Sequence, residues 1–256
     1  MESIYALLKD LPGTIGLYYK DLSTGREICY NEDVQFISAS VIKLPIMMDV
    51  YMRAERGELS LKDLLSTKDY ERFPGAGAIL SIEEDFDISI QSLVNLMINI
   101  SDNTATNMLI NYIGVEKMKQ GFAEMGLIKT ELNRAFYDME LLEKGIHNYI
   151  APKEIGGLLE SLYHETFISP EASRAMIRIL KSQQFNHKIP DRLPPGTVVA
   201  NKTGDIDGIT HDAGIVYGDK PFIFVFASME GNTSASNNVL REAAKICYDL
   251  SNAPVV

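Results

Sequence analysis

The pattern of hydrophobic and polar positions changes along the chain. Alternating or fully apolar stretches typical of strands lie near both ends, whereas apolar residues at helical spacing fill the middle. The pattern predicts strands over 14–19, 27–30, 197–202, 212–217 and 221–228. It predicts helices over 1–9, 38–57, 88–100, 104–112, 115–125 and 234–250, and further helices beginning at Pro152 and Pro170.

This order of elements predicts an α/β (α+β) fold. Since strands occur only at the two ends, we expect them to form one antiparallel five-stranded sheet flanked by helices. An all-helical lobe is then inserted between the second and third strands. The change in pattern places the sheet lobe at 1–38 plus 183–256 and the helical lobe at 39–182.

The composition is that of an ordinary soluble globular protein. The 256 residues carry a formal net charge of −11, with 46% hydrophobic and 23% charged residues. The acidic balance and the lack of a Lys/Arg cluster argue against a nucleic-acid partner. The longest apolar run, Leu44 to Met48, is too short to cross a bilayer, so we expect no membrane partner.

Cysteine and histidine usage limits the cofactor chemistry. Cys29 and Cys247 are too few for a disulfide scaffold, and we expect two free, buried thiols. The four histidines lack metal-ligand spacing, so we expect no metal and no other cofactor. The first six residues lack a basic segment followed by an apolar one, which predicts no signal peptide. A cytoplasmic protein and an exported one whose leader has been removed both stay open.

The only S-x-x-K motif of the chain places Ser40 and Lys43 near the start of the predicted helix 38–57. Residues i and i+3 of a helix share a face, with Cβ atoms about 5–6 Å apart, so the ammonium lies beside the hydroxyl. A serine hydroxyl becomes a good nucleophile when a neighbour takes its proton, and a lysine can do so when its pKa is lowered. The alternative interpretation is an ordinary helix surface.

The second motif, Ser101-Asp102-Asn103, lies at the break between two apolar helices. One interpretation is N-capping of the following helix by Asp102 or Ser101. The other gives Ser101 a proton-relay hydroxyl and Asn103 an amide for a substrate carbonyl. The motif alone does not separate the two.

The third motif, Lys202-Thr203-Gly204, ends a predicted strand. Lys202 can bind a carboxylate, Thr203 can donate a hydrogen bond to it, and Gly204 allows a ligand backbone to approach closely. The alternative interpretation is a strand end followed by a turn.

Taken in order, S-x-x-K, S-D-N and K-T-G resemble the motif set of class A β-lactamases and penicillin-binding proteins. The flanks agree: residues 36–45 resemble the nucleophile helix of this family, 97–105 its middle motif, and 192–204 the approach to its third motif. The resemblance covers nearly the whole chain. It implies a β-lactamase/transpeptidase-like fold with the active site between the two lobes.

The resemblance also implies catalytic roles. Ser40 would attack a β-lactam or amide carbonyl and form an acyl-enzyme, and Lys43 would help to deprotonate it. Ser101, assisted by Lys202, would pass a proton to the leaving nitrogen. We expect the pKa values of both lysines to be lowered, because the fold would bring the two ammonium groups and Ser101 into one cleft.

Substrate-binding roles follow from the same resemblance. Asn103 would bind the substrate amide, and Thr203 with the lysine of its motif would hold the substrate carboxylate. The oxyanion hole would consist of the backbone N–H groups of Ser40 and of Asp205, just past Gly204. The resemblance thus implies a small-molecule substrate, a β-lactam or an acyl-D-amino-acid peptide or ester. We expect the protein to be a monomer.

The deacylation base departs from the family pattern. Class A β-lactamases hydrolyse their acyl-enzyme with a glutamate on a loop after the middle motif. Here that position falls at Phe136, or at Ala135 if a gap is shifted, and neither side chain can act as a base. Glu140 is the first usable carboxylate and is our candidate base, with Asp138 and Glu143 as competitors. The alternative for Glu140 is a solvated loop carboxylate.

The sequence therefore predicts a serine hydrolase of β-lactamase type that opens β-lactam amides and deacylates slowly. A D-alanyl-D-alanine peptidase or esterase, or a penicillin-binding protein, is the first alternative. A non-catalytic β-lactam sensor that keeps the acyl group is the second.

Overall fold

The structure, a computed structural model, describes residues 2–252 and is organised around a five-stranded sheet. The strands are β1 Thr14–Asp21, β2 Glu27–Tyr30, β3 Phe36–Ile37, β4 Leu64–Ser66, β5 Asp87–Ser89, β6 Tyr149–Ile150, β7 Val199–Ile206, β8 Ile209–Val216 and β9 Phe222–Met229. The helices are α1 Glu2–Lys9, α2 Lys43–Glu55, α3 Ile90–Asn99, α4 Asn103–Ile113, α5 Val115–Glu124, α6 Met139–Glu143, α7 Pro152–Tyr163, α8 Pro170–Lys181 and α9 Thr233–Asn252. Short 3₁₀ turns occupy Ala39–Ile42, Thr67–Asp69, Ile79–Ser81 and Ile189–Arg192.

The main sheet has the order β2-β1-β9-β8-β7, and all neighbouring strands are antiparallel. It is therefore built by both ends of the chain, as the sequence predicts. Strand β7 lies at one edge, where it pairs with β8 so that Asp205 faces Thr210. Its other edge is left open toward the 3₁₀ turn Ala39–Ile42, against which it packs.

Both faces of the sheet are covered, which explains the continuous apolar run of β9. Phe222, Phe224 and Phe226 belong to a core formed with α1 and α9. The alternate residues, exemplified by Ile223 and Val225, belong to a second core formed with the helices of the inserted region. Side chains of a strand alternate between faces, so a strand buried on both sides can carry a nearly continuous apolar run.

Several predicted helix boundaries are confirmed by their caps. Ser169 accepts a hydrogen bond from the backbone of Ala172 at the start of α8, and Pro170 is its first residue. Gly114 ends α4 with a φ of +97°, a conformation that suits glycine. The predicted helix at 1–9 is confirmed from Glu2 onward, and Met1 lies outside the described residues.

The inserted lobe is not all-helical, which corrects one part of the prediction. It carries two small two-stranded sheets, β4 with β5 and β6 with the preceding strand β3. Each of these strands has only two or three residues, too few to show a period of two in the sequence. The helix α6 is likewise too short to show a helical period in the sequence. The lobe boundaries at 38 and 183 stay a prediction.

Cys29 and Cys247 are both free; Cys247 is buried, whereas Cys29 is only half-buried. Among the helices formed by residues 2–252, none is long and apolar enough to cross a membrane.

Candidate active site

Ser40 lies in a 3₁₀ turn rather than in a regular α-helix. The turn Ala39–Ile42 leads directly into α2, which begins at Lys43. Its first residue, Ala39, has a φ of +42°, a strained value for a residue with a side chain. Residues three apart eclipse each other in a 3₁₀ turn, and Ser40 precedes Lys43 by three residues. Ser40 is partly exposed and lines a pocket between the sheet edge and the inserted lobe.

Lys43 is fully buried, and its ammonium is held by the second motif. Nζ lies 2.8 Å from Ser101 O, 3.1 Å from Ser101 Oγ and 2.9 Å from Asn103 Oδ1. Burial lowers the pKa of Lys43 well below its ordinary value, and the charge of Lys202 lowers it further. Asp102 opposes these effects. The predicted downward shift is confirmed in direction.

In the second motif, Asp102 caps the following helix, whereas Ser101 faces the two lysines. Asp102 is the N-cap of α4, since its carboxylate accepts hydrogen bonds from the backbone of Ala105 and, across the lobe, of Ala78 and Ile79. Ser101 has a φ of +57° and turns its side chain toward the lysines instead.

Lys202 approaches the same hydroxyl from the sheet. It is fully buried on β7, and its Nζ lies 3.2 Å from Ser101 Oγ and 2.8 Å from Thr203 O. Burial lowers the pKa of Lys202 to about 7, while Asp212 acts in the opposite direction. A lysine with such a pKa can give or take a proton near neutrality.

The third motif brings the sheet edge against the turn that contains Ser40. The backbone of Gly204 passes so close that a Cβ added there would lie 3.0 Å from the Ser40 amide nitrogen. Only glycine fits this approach without displacing the turn. The next residue, Asp205, lines the same pocket as Ser40, and Thr203 is buried one position earlier.

Asn103 has every polar atom engaged within the protein. Oδ1 accepts from Lys43, while Nδ2 donates to Pro74 O at 3.0 Å and to the Tyr137 hydroxyl at 3.2 Å. Tyr137 in turn donates to Pro74 O, stacks on Phe73 and has a φ of +60°. Nothing in the sequence points to Tyr137, because no pattern links it to a partner 34 positions away.

The loop that follows the middle motif puts an aromatic ring over the ammonium of Lys43. The Phe136 backbone is fixed by Asn107, which accepts from its N–H at 2.8 Å and donates to its carbonyl at 2.7 Å. The Phe136 ring centroid lies 4.8 Å from Lys43 Nζ. Ala135 is partly buried beside it against the same core.

Glu140 is not brought together with the other predicted residues. Its carboxylate is 81% exposed and pairs with Lys144 at 2.6 Å. Asp138 caps α6 by accepting from the backbone of Leu141, and Glu143 is exposed at the end of that helix. Within the described chain, none of these three carboxylates lines the pocket that contains Ser40. Glu140 and Glu143, which lie on α6, are exposed to solvent.

These features define a class of protein: a two-lobe serine hydrolase with paired lysines between a sheet edge and a helical lobe. The family described as "Beta-lactamase enzyme family" matches residues 1–251. The chain therefore belongs to the β-lactamase enzyme family and is a serine hydrolase of the β-lactamase type.

Curated relatives are similar in sequence over most of the chain. A β-lactamase of Bacteroides uniformis is 25% identical over 271 residues, covering 96% of this chain and 89% of that protein. A β-lactamase of Streptomyces fradiae is 25% identical over 252 residues, covering 94% of this chain and 82% of that protein.

Solved structures show the same architecture. A β-lactamase of Sphaerobacter thermophilus has a TM-score of 0.87 at 25% identity, covering 99% of this chain and 98% of that one. A protein named PBP-A has a TM-score of 0.87 at 28% identity, covering 97% of this chain and 94% of that one. A mutant of PBP-A was solved as an acyl-enzyme complex with penicillin G.

Proposed function

We propose that this protein opens β-lactam rings through an acyl-enzyme on Ser40 and releases the acyl group slowly. The observation that carries the proposal is the Ser101 hydroxyl, which lies 3.1 Å from Lys43 Nζ and 3.2 Å from Lys202 Nζ. Two ammonium groups with lowered pKa values thus share one relay hydroxyl beside the turn that contains Ser40.

The proton inventory of Lys43 fits a general base. A neutral amine has two donors and one lone pair. The two acceptor-only partners, Ser101 O and Asn103 Oδ1, take the two donors. The lone pair is then free to accept the proton of Ser40, either directly or through the Ser101 hydroxyl.

In the proposed acylation, Ser40 Oγ bonds to the lactam carbonyl carbon and the lactam C–N bond breaks. The proton of Ser40 goes to Lys43, and the leaving nitrogen receives the proton of Ser101, which Lys202 or Lys43 replaces. The negative charge on the carbonyl oxygen is accommodated by the backbone N–H groups of Ser40 and Asp205. The close packing of the Gly204 backbone on the nucleophile turn supports this pairing of donors.

Slow deacylation is proposed from the loop. A water that attacks the acyl ester needs a base, and the position beside Lys43 is occupied by the Phe136 ring, which cannot accept a proton. The same observation favours the second candidate function, a penicillin-binding protein that retains the acyl group. Its natural reaction would then be D-alanyl-D-alanine peptide or ester cleavage.

Intact-mass measurement after mixing with benzylpenicillin tests the proposal. We expect one acyl adduct per chain that decays slowly with release of hydrolysed penicillin. Ser40→Ala should give no adduct at an almost unchanged melting temperature, and Ser23→Ala, an exposed serine outside the site, should behave like the wild type. An adduct on Ser40→Ala would refute the nucleophile assignment.

The time course separates the remaining functions. An adduct that never decays indicates the penicillin-binding or sensor function. If a D-alanyl depsipeptide competes with adduct formation and is itself cleaved, the protein is a peptidase or esterase; without cleavage, it is a sensor.

A further inference from the structure

A second buried cation, Lys188, lies behind the third motif and takes no part in the proposed proton relay. Its side chain is fully buried. Nζ donates to Gly204 O at 3.1 Å, to Asp205 Oδ1 at 2.7 Å and to His211 O at 2.9 Å. A buried ammonium is stable only when its charge is compensated, and Asp205 is the carboxylate that binds it directly.

Asp205 presents this carboxylate at the cleft. Its side chain is 46% exposed and lines the pocket that contains Ser40. Besides Lys188, Oδ1 accepts a hydrogen bond from the Thr210 hydroxyl at 2.9 Å. An ammonium and a hydroxyl that converge on one carboxylate oxygen form an anion-binding site, and here the anion is part of the protein.

The position in which Asp205 binds Lys188 adjoins the place expected for a substrate carboxylate. Thr203 and Asp205 lie on the same face of β7, about 7 Å apart along the strand. Lys188 is paired with Asp205, and Lys202, whose pKa is lowered to about 7 by burial, faces Asp212. A substrate carboxylate at Thr203 would therefore lie beside the exposed negative charge of Asp205, with the ammonium of Lys188 already paired.

We propose that Asp205 fills the anion-binding position of the cleft with its own carboxylate. The protein thereby selects substrates that carry an uncharged group, an ester or an amide, where a penicillin carries its free carboxylate. This specificity rests on the proposed acylation of Ser40, because it concerns the group beside the bond that is broken.

Benzylpenicillin and its methyl ester form a matched pair that differs only in this charge. We compare their acylation rates by intact mass and use the ratio of acid to ester as the readout. For the wild type we expect the ester to react at least as fast as the acid. Asp205→Asn should raise the ratio about tenfold, since one like charge has been removed and Lys188 has been freed.

Three variants make the test specific. Asp207→Asn, which removes the same charge from the exposed turn two positions away, should leave the ratio unchanged. The double variant Lys188→Met with Asp205→Asn should lose the roughly tenfold increase in the ratio of acid to ester. Asp205→Ser, which has a smaller side chain, should show the same increase as Asp205→Asn. A wild type that strongly prefers the acid, or a ratio that Asp205→Asn and Asp205→Ser leave unchanged, would overturn the proposal.

A binding measurement keeps this proposal separate from the proposed function. If neither lactam acylates the protein, the β-lactamase function fails, but the anion site can still be examined with sulfate. We expect sulfate to raise the melting temperature of Asp205→Asn and Asp205→Ser more than that of the wild type or Asp207→Asn. Equal shifts in all four proteins would contradict the proposed site.

Discussion

Ser101 Oγ lies 3.1 Å from Lys43 Nζ, although the two residues are 58 positions apart in the chain. Lys202 reaches the same oxygen from the sheet at 3.2 Å, so one hydroxyl connects the helical lobe to the sheet. Both lysines are completely buried. The proposed proton pathway therefore depends on the contact between the two lobes rather than on any single motif.

Removal of this hydroxyl should slow acylation far more than it affects stability. We expect Ser101→Ala to reduce the acylation rate by about 10²–10⁴, the range typical of a proton-transfer group. Ser101→Gly should cause a similar loss and keep or improve stability, because the φ of +57° at this position suits glycine. The acylation rates and the thermal melts of both variants check this prediction. A rate within threefold of the wild type in either variant would exclude Ser101 as the relay.

A carboxylate in place of Phe136 should accelerate turnover. The ring lies 4.8 Å from Lys43 Nζ, so Phe136→Glu would bring a base close to the acyl ester. With the wild type we expect a burst of chromogenic cephalosporin cleavage near one equivalent of enzyme, followed by a slow steady state. Phe136→Glu should raise the steady state by about 10²-fold or more.

Phe136→Gln is the matched control for this prediction, since it has nearly the size of the glutamate variant without its charge. It should keep the slow steady state. Rapid turnover by the wild type with no burst would mean that deacylation uses a base elsewhere.

Glu140→Gln should leave both phases of the reaction unchanged within about twofold. The Glu140 carboxylate is 81% exposed and pairs with Lys144, four residues later on the same helix. Such a pair stabilises a helix by only about 0.5 kcal/mol or less, so stability should also change little. The same cephalosporin assay measures the effect. A tenfold slower steady state would restore Glu140 as the base that the sequence suggested.

The three motifs can be recognised in the sequence because each is short and has a defined local geometry. Ser40 and Lys43 are one turn apart. Lys202 and Gly204 are two positions apart on a strand, so they lie on the same face of the sheet. The main sheet was predictable for a related reason, since its long strands are flanked by turn residues.

Contacts between segments that are far apart in the sequence leave no such local pattern in it. Tyr137 bonds to Asn103 across 34 positions, and nothing in its own surroundings distinguishes it from an exposed loop tyrosine. Lys188 lies in a polar stretch that predicts solvent exposure, yet it is fully buried beneath the third motif. In the sequence, only its carboxylate chemistry indicates Glu140 as a base. The direction of its side chain is set by the helix α6, which is too short to be predicted.

The lowered pKa of Lys202 makes the stability of the protein depend on pH. Burial lowers this pKa to about 7, whereas in the unfolded chain it returns to an ordinary value near 10.5. Between these values the folded chain holds the neutral amine, and unfolding takes up a proton. Raising the pH therefore opposes unfolding, and the contribution of this group to the free energy of unfolding rises by up to about 1.4 kcal/mol per pH unit.

Lys202→Met removes this contribution. The free energy of unfolding of the wild type minus that of the variant should increase from pH 7 to pH 9 in urea titrations, while the same difference for the exposed Lys144→Met should stay flat. The range stops at pH 9 because burial raises the pKa of the Cys247 thiol, so ionisation in the unfolded chain destabilises every variant above that pH. Parallel curves for wild type and Lys202→Met would mean that Lys202 stays protonated in the folded protein, and it would then act as a fixed positive charge rather than as a proton donor to Ser101.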